Sequence, residues 1–322
     1  MSQLPDLAVV PGIRSERLRP ASGAAHEDVL AALAGRPRRL PSRLVYDRRG
    51  FELLDAVCRS AAYYPARLER GLLADHAGDL RELAGPHARV IEPWHGDVPR
   101  SIAMLGALDR PAQYVPIDGD PVRLAATVQA VRAALPDLDV RPAVTLDEVL
   151  PRAGGFERTL AFLPGTTIGS LDPSHAVRLM TLLAALVGDD GALVLGADAT
   201  SDPDVLRAAY GGEAAATWLV HALTHVSADA GAFAYACAWN PAATRLDLTL
   251  VATRPTAIEV AGNRFEIAIG ESIIVDQRHQ HTTEAMQAML GIAGWQARRT
   301  FTANPEPMRI WLCDRWRRSR RR

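Results

Sequence analysis

The chain has 322 residues, of which 48% are hydrophobic and 23% are charged, and its formal net charge at pH 7 is −1. This is enough chain for one large or two modest globular domains, and the composition excludes a fibrous or disordered protein. All 36 basic residues are arginine, which excludes chemistry that needs an amine side chain, such as a pyridoxal-phosphate Schiff base or a Walker A lysine.

The three cysteines lie far apart and form no Cys-x-x-Cys pair, so we expect neither a disulfide framework nor a structural zinc site. The N-terminal segment has no apolar leader pattern and no run reaches ~18 apolar residues, so we predict a cytoplasmic protein with no membrane partner. The arginine-rich tail at 315–322 is predicted to be a solvated terminus, not a nucleic-acid-binding segment.

Residues 51–61 and 66–84 carry apolar side chains at three- and four-residue spacing, which predicts two amphipathic helices. From residue 89 to 198, short apolar runs alternate with helical segments. This alternation predicts an α/β fold, a parallel sheet with helices on both faces, because parallel strands need crossover connections. Ligands of such sheets bind beyond the carboxyl ends of the strands. We therefore expect the site in four loops, which follow Glu92, Asp118, Ala143 and Leu163.

The pattern changes at about residue 201, where two helical segments precede runs that alternate in the antiparallel manner, with AGN at 261–263 as a hairpin turn. A helix at 282–292 and two strand-like runs, WQARRTF and MRIWLCD, are predicted to return to the sheet. We predict two domains, a core of 61–200 plus 281–322 and an accessory, substrate-binding domain of 1–60 plus 201–280.

Several motifs keep a characteristic order and spacing from about residue 40 to 320. They are LPSRLVYDRRGFELLDAV, AYYPARLE, YVPIDGDP, FLPGTTIGSLDP, LVLGAD and AWNP. In these motifs the sequence resembles the histidine N-alpha-methyltransferases of ergothioneine biosynthesis. The resemblance implies a Rossmann-like methyltransferase core with an inserted α+β domain, S-adenosylmethionine (SAM) as cofactor, and N-methylation of a small, amino-acid-like amine.

The glycine turn that approaches SAM reads E-L-G-S-G-T in the family and E-P-W-H-G-D at 92–97 here. Trp94 thus replaces the first glycine, whereas Gly96 is retained and is implied to contact SAM. Only a residue without a Cβ atom lets a cofactor approach such a turn closely. Asp97 is expected to cap the following helix.

The resemblance implies further contacts to SAM. Asp118, at the end of the run YVPID, would accept the ribose hydroxyls, and Tyr46 would also contact the cofactor. Thr145 stands where the family has an acid against adenine, and it offers a weaker hydrogen bond. Because Asp120 can cap the next helix, Asp118 remains for a ligand.

The resemblance implies a substrate pocket formed by Tyr64, Ser170, Tyr210, Asp276 and Arg278. Tyr64 and Ser170 would orient the substrate, and Asp276 would contact its amine or its side chain, with Tyr64 and Asp276 as the catalytic candidates. The amine is held uncharged and in line with the sulfonium methyl, so that proximity supplies much of the acceleration. Arg278 replaces a small hydroxyl residue and should favour an anionic group over an imidazole. We therefore expect a substrate other than L-histidine.

Two alternatives remain open at this stage. The first is a pseudo-methyltransferase or repurposed scaffold, in which Trp94 fills the cofactor space. Such a protein would work with an oligomeric or homologous partner, or bind a different small ligand. The second is a metal-assisted enzyme that uses His95, His279 and His281. Against it, we favour no metal, with 279–281 as exposed polar residues that lead into the next helix.

Overall fold

The computed structural model describes residues 25–94, 97–149, 156–165, 167–305 and 308–316. These residues fall into two compact units. Unit 1 contains the described residues of 67–199 and 281–316, and unit 2 contains those of 25–66 and 200–280. Among the described residues, no helix combines the length and apolar character needed to cross a bilayer.

The helices in the described ranges are α1 (Ala25–Ala34), α2 (Arg48–Arg59), α3 (Tyr64–Asp75), α4 (Ala77–Ala84), α5 (Val98–Ala107), α6 (Pro121–Ala134), α7 (Pro173–Val187), α8 (Pro203–Tyr210), α9 (Glu213–Val220) and α10 (Thr283–Ile292). The strands are β1 (Arg89–Pro93), β2 (Gln113–Ile117), β3 (Asp139–Val140), β4 (Thr159–Leu163), β5 (Ala192–Asp198), β6 (Ser227–Ala228), β7 (Phe233–Asn240), β8 (Arg245–Ala252), β9 (Thr256–Val260), β10 (Asn263–Ile267), β11 (Ser272–His279), β12 (Trp295–Thr302) and β13 (Met308–Arg315).

Unit 1 is built on a seven-stranded sheet with the order β12-β13-β5-β4-β1-β2-β3. The pairs among β1 to β5 are parallel, whereas β13 runs antiparallel to both of its neighbours. The predicted α/β core is therefore confirmed, as is the return of the last two strands to the sheet. The single helix expected over 66–84 is instead two helices, α3 and α4, which are separated at His76.

The buried strands of unit 1 are apolar on both faces, as expected of a parallel sheet covered by helices. Successive side chains alternate between two hydrophobic clusters. Val90 packs with residues of α4, α5 and α6, whereas its neighbour Ile91 packs with residues of α7 and α10. The core thus lies in two layers, one on each face of the sheet.

Among the described residues, four helices begin at an aspartate that is followed by proline within two positions, and in three of them the proline comes at once. The aspartate carboxylates accept hydrogen bonds from backbone N–H groups of the first helical turn, which satisfies donors that have no partner inside a helix. These aspartates are Asp97, Asp120, Asp172 and Asp202. The expected caps at Asp97 and Asp120 are confirmed, and they fix where each strand–helix loop ends.

Unit 2 contains two three-stranded antiparallel sheets, with the orders β11-β8-β7 and β10-β9-β6. The predicted AGN hairpin joins β9 to β10. In the first sheet, the β11–β8 pairing shifts register between Ile274 and Asp276. Such a bulge redirects the side chains that follow it, and here it orients those of Asp276 and Arg278.

Candidate functional site

Trp94 follows β1 directly and donates its backbone N–H to the Ile117 carbonyl at the end of β2, at 2.9 Å. Its φ is +53°, the left-handed conformation that suits glycine and costs other residues about 1–2 kcal/mol. The backbone therefore has a glycine-like turn despite the large side chain. The half-buried indole packs against the hydrophobic cluster that contains Ile91. His95 and Gly96 lie outside the described residues.

Asp118 extends β2 by one residue, and its side chain is almost fully buried. One carboxylate oxygen accepts the N–H of Asp120 at 2.8 Å, and the other lies 2.9 Å from the Arg123 guanidinium. Burial raises the pKa of Asp118, and Arg123 offsets part of that increase. The prediction that helix capping falls to Asp120 is confirmed. Asp118 is not free, because Arg123 is its ion-pair partner, and its expected role toward a ligand stays a prediction.

A second ion pair lies inside unit 1. The Glu69 carboxylate lies 2.8 Å from the Arg100 guanidinium and accepts the Gly165 N–H at 2.7 Å. A Cβ atom at Gly196 would lie 1.9 Å from this carboxylate, so only glycine admits it there. The pair ties the loop after β4 to the first turn of α5, next to the turn that contains Trp94.

Glu92, in β1, is fully buried and accepts hydrogen bonds from Ser101 at 2.8 Å and from Tyr114 at 2.7 Å. Burial raises the pKa of Glu92 to about 7, and Arg100, which lies nearby, opposes this increase. Glu92 therefore holds β1 against α5 and β2 as a structural acid, with both oxygens already engaged.

Two predicted site residues of unit 1 lie in loops that follow strands. Thr145 is half-buried and precedes the short 3₁₀ turn Leu146–Glu148. Ser170 is half-buried and donates its hydroxyl to the Thr167 carbonyl at 2.8 Å. Together with Asp118, these residues place the predicted unit 1 contacts in strand–helix loops, where ligands of parallel sheets bind.

Four of the predicted residues, Tyr46, Tyr210, Asp276 and Arg278, meet in unit 2. Together with Trp218 they form what we call the arginine cage, in which the other four side chains surround Arg278. The Arg278 guanidinium lies 2.7 Å from the Asp276 carboxylate and donates to the Tyr46 hydroxyl at 3.0 Å. That hydroxyl donates to Asp276 at 3.1 Å. The guanidinium carbon lies 5.7 Å from the Tyr210 ring centre and 5.5 Å from that of Trp218, within cation–π range.

The arginine cage buries its charges. The side chains of Arg278 and Asp276 are 6% and 2% exposed. Burial disfavours the charged guanidinium and lowers its pKa, but the Asp276 carboxylate, together with Tyr46, Tyr210 and Tyr63, raises the pKa of Arg278 well above its usual value. Asp276, expected to orient the amine, is instead paired with Arg278, since residues two apart on a strand share a face.

The tyrosines are distributed between packing and polar roles. Tyr63 and Tyr64 are both buried, and the Tyr63 ring contacts Tyr210 edge-on, with 5.5 Å between ring centres. Tyr46, expected to contact SAM, belongs to unit 2 with the arginine cage, whereas Asp118 belongs to unit 1.

The histidines at the end of β11 differ from the prediction. His279, Gln280 and His281 are buried, at 8%, 5% and 7% exposure. The expectation that they are exposed is wrong, because the Gln280 N–H donates to the Thr244 carbonyl and so extends the β11–β8 pairing beyond the strand. Among the described residues, neither histidine belongs to a group of three potential ligands close enough to share a metal ion.

Three residues with direct polar roles were missed by the sequence analysis. Arg123 and Arg100 each lie in the first turn of a helix that follows a strand, and this position alone marks them as able to reach an acid at the sheet edge. Trp218 donates its indole N–H to the Val45 carbonyl at 2.9 Å and is fully buried. No local pattern distinguishes it from a core tryptophan.

A family model described as "Histidine-specific methyltransferase, SAM-dependent" matches residues 25–315. A histidine N-alpha-methyltransferase from Mycolicibacterium smegmatis is 27% identical over 289 residues, which cover 85% of this chain and 89% of the relative. An N-methyltransferase, imqF, from Aspergillus flavus is 23% identical over 77% of this chain and 73% of its own length.

Among solved structures, a magnesium protoporphyrin IX methyltransferase from Synechocystis PCC 6803 superposes with a TM-score of 0.46 at 13% identity. The alignment covers 84% of this chain and 96% of that one.

Proposed function

Since the chain belongs to the family of SAM-dependent, histidine-specific methyltransferases, we propose that it methylates the nitrogen of an amino-acid-like amine other than L-histidine. Unit 1 is assigned to SAM and unit 2 to the substrate. The observation that carries the SAM assignment is the buried Asp118 carboxylate at the carboxyl end of β2, beside a turn that keeps the left-handed backbone of glycine at Trp94.

The residues of unit 1 fit a nucleoside at this edge. Asp118 would accept the ribose hydroxyls, Thr145 would offer a hydrogen bond to adenine, and the turn at Trp94 would bring backbone close to the ligand. SAM supplies an electrophilic methyl group, which the lone pair of the substrate nitrogen takes up as the carbon–sulfur bond breaks and S-adenosylhomocysteine (SAH) leaves. The protein's contribution is to position the uncharged amine for this attack.

The arginine cage supports a substrate that is not histidine. Its acid and its aromatic rings would suit an imidazolium or another cation, but Arg278 already takes that place with its own guanidinium. The buried Arg278 Nε has no hydrogen-bond partner among the described residues. This donor would accommodate a carboxylate or another acceptor of the substrate.

SAH binding, measured by calorimetry with the full chain, tests the cofactor assignment. Wild type is expected to bind SAH. Asp118→Asn should weaken binding by ~10–100-fold, since hydrogen bonds to a charged group contribute about 1.5–3 kcal/mol. Asp120→Asn is the matched control, because that carboxylate caps α6. Absence of SAH binding to wild type would refute the assignment.

L-Histidine binding tests the substrate assignment. Wild type should not bind L-histidine, whereas Arg278→Ser should, because it exposes the Asp276 carboxylate and the rings of the arginine cage. Arg245→Ser is the control, since Arg245 pairs with Asp247 at 2.8 Å on the neighbouring strand. Binding or methylation of L-histidine by wild type would contradict the proposal.

A second candidate function is a scaffold that binds no SAM. The ion pair between Asp118 and Arg123 favours it, because the acid proposed for ribose already has a charged partner. In that case SAH should bind only after Arg123→Met or Trp94→Gly, and wild type should give no heat with SAH at any concentration tested.

A further inference from the structure

Asp47, His221 and His225 form a compact group in unit 2, here called the His–Asp cluster. Each contributes a nitrogen or oxygen atom, and these atoms lie within 4.8 Å of one another. His221 Nε2 lies 2.8 Å from one Asp47 oxygen, and His225 Nε2 lies 3.0 Å from the other. Among the described residues, this is the one group of three or more His, Cys, Asp or Glu side chains whose ligand atoms lie close enough together to bind a single metal ion.

Local structure brings the three side chains together. Asp47 caps the N-terminus of α2 and accepts the Gly50 N–H at 2.7 Å. His221 follows α9 and begins the 3₁₀ turn His221–His225, which ends at His225, and both imidazoles reach the Asp47 carboxylate. Their rings meet edge-on, with 5.3 Å between centres.

Hydrogen bonding does not account for all of these contacts. His221 Nε2 is hydrogen-bonded to Asp47. Among the described residues, the buried His225 Nε2 makes no well-aligned hydrogen bond, although the Asp47 carboxylate lies 3.0 Å away. A buried ring nitrogen without a partner is costly. A cation held between the three side chains would satisfy it.

The spacing suits a metal. Zinc binds imidazole nitrogen and carboxylate oxygen at about 2.0–2.1 Å in tetrahedral geometry, which places neighbouring ligand atoms ~3.3 Å apart. The contacts of 2.8 and 3.0 Å need to lengthen by only a few tenths of an ångström. Imidazole with carboxylate is also a ligand set that favours zinc and its first-row neighbours over magnesium or calcium. Thr224 Oγ1, 3.4 Å from His221 Nδ1, would orient that ring as an outer-shell partner.

We propose that the His–Asp cluster binds one divalent transition-metal ion of the zinc type. Its ligands are Nε2 of His221, Nε2 of His225 and a carboxylate oxygen of Asp47, with water in the fourth position. The ion fastens the start of α2 to the turn that follows α9. The proposal does not rest on the proposed methyl transfer.

The test is calorimetric titration of the full chain, first stripped with a chelator, with Zn²⁺, together with elemental analysis after dialysis. Wild type is expected to bind one equivalent. Loss of an outer-shell partner typically costs ~10–100-fold in metal affinity, so loss of the direct ligand in His225→Gln should cost ~100-fold or more. Co²⁺ should give the visible absorption of a four-coordinate site in wild type and not in His225→Gln.

His175→Gln is the matched control, because His175 also contacts an aspartate, Asp172, three residues away. It should retain wild-type zinc affinity. His221→Asn provides a second loss of ligand if His225→Gln folds poorly, and circular dichroism checks each variant. The proposal is overturned if wild type binds no zinc at millimolar concentration, or if the control weakens binding as much as His225→Gln does.

Discussion

Asp276→Asn removes the negative partner of the buried guanidinium in the arginine cage. Arg278 cannot lose its proton at any ordinary pH, so the variant leaves a charge buried at 2.7 Å from a neutral amide. Breaking such a pair costs about 3–5 kcal/mol. The rings of Tyr210 and Trp218 contact the cation in both proteins, so their attraction cancels in the difference. We therefore expect the free energy of unfolding to fall by about 3–5 kcal/mol.

Urea denaturation followed by circular dichroism measures this effect, and a double-mutant cycle isolates the pair. The double variant Asp276→Asn with Arg278→Met buries no charge, so it should be more stable than Asp276→Asn alone. Glu259→Gln is the control, because Glu259 pairs with Arg264 on an exposed hairpin, and its unfolding midpoint should match that of wild type. If Asp276→Asn is as stable as wild type, or if the two single costs simply add in the double variant, the description of the pair as buried and coupled is refuted.

Two further predictions concern other parts of the chain. The pKa of Glu92 lies near 7 in the folded protein against 4.5 ordinarily, so the folded state keeps a proton that the unfolded chain loses. The free energy of unfolding should then fall by about 3 kcal/mol as pH rises from 4.5 to 7. Glu92→Gln should flatten this part of the profile of unfolding free energy against pH. Equal slopes in wild type and variant would contradict the prediction. Gly50→Ala places a Cβ atom 2.2 Å from the Val45 carbonyl oxygen, so the free energy of unfolding measured in urea should fall by about 1–3 kcal/mol. Gly71→Ala is the control, because its Cβ atom would have nothing within 4 Å, and it should be neutral or slightly stabilising.

The sequence was sufficient for the architecture of unit 1. Parallel strands buried on both faces read as apolar runs, and the helices between them begin at Asp-Pro or Asp-x-Pro signals that depend on neighbouring residues alone. The family identified from the motifs is likewise confirmed. These features are local or periodic, so they can be predicted without knowledge of tertiary contacts.

The sequence did not indicate which groups form hydrogen bonds and ion pairs with one another. The HQH segment at 279–281 is polar, and polarity predicts exposure, but a backbone pairing to Thr244 draws it inward. Asp276 and Arg278 were assigned separately to substrate groups, although their separation of two residues on a strand puts them on one face. The bulge before Asp276, which the residue pattern does not mark, decides which residues that face meets.

The absence of lysine gives these pairings a common cause. A buried lysine can become neutral, but a buried arginine keeps its charge and five donors, so it requires an acid nearby. Three buried or nearly buried acids are engaged in this way, in the pairs Glu69–Arg100, Asp118–Arg123 and Asp276–Arg278. In a chain whose cations are all arginine, an acid at a presumed ligand site therefore has to be checked for an arginine within reach before it is assigned to the ligand. By that criterion, Asp276 is committed to Arg278 by a 2.7 Å contact and by the deep burial of both side chains. Asp118 is paired with Arg123, whose side chain is 19% exposed against 6% for Arg278, so Arg123 has given up less of its hydration and depends less on its acid.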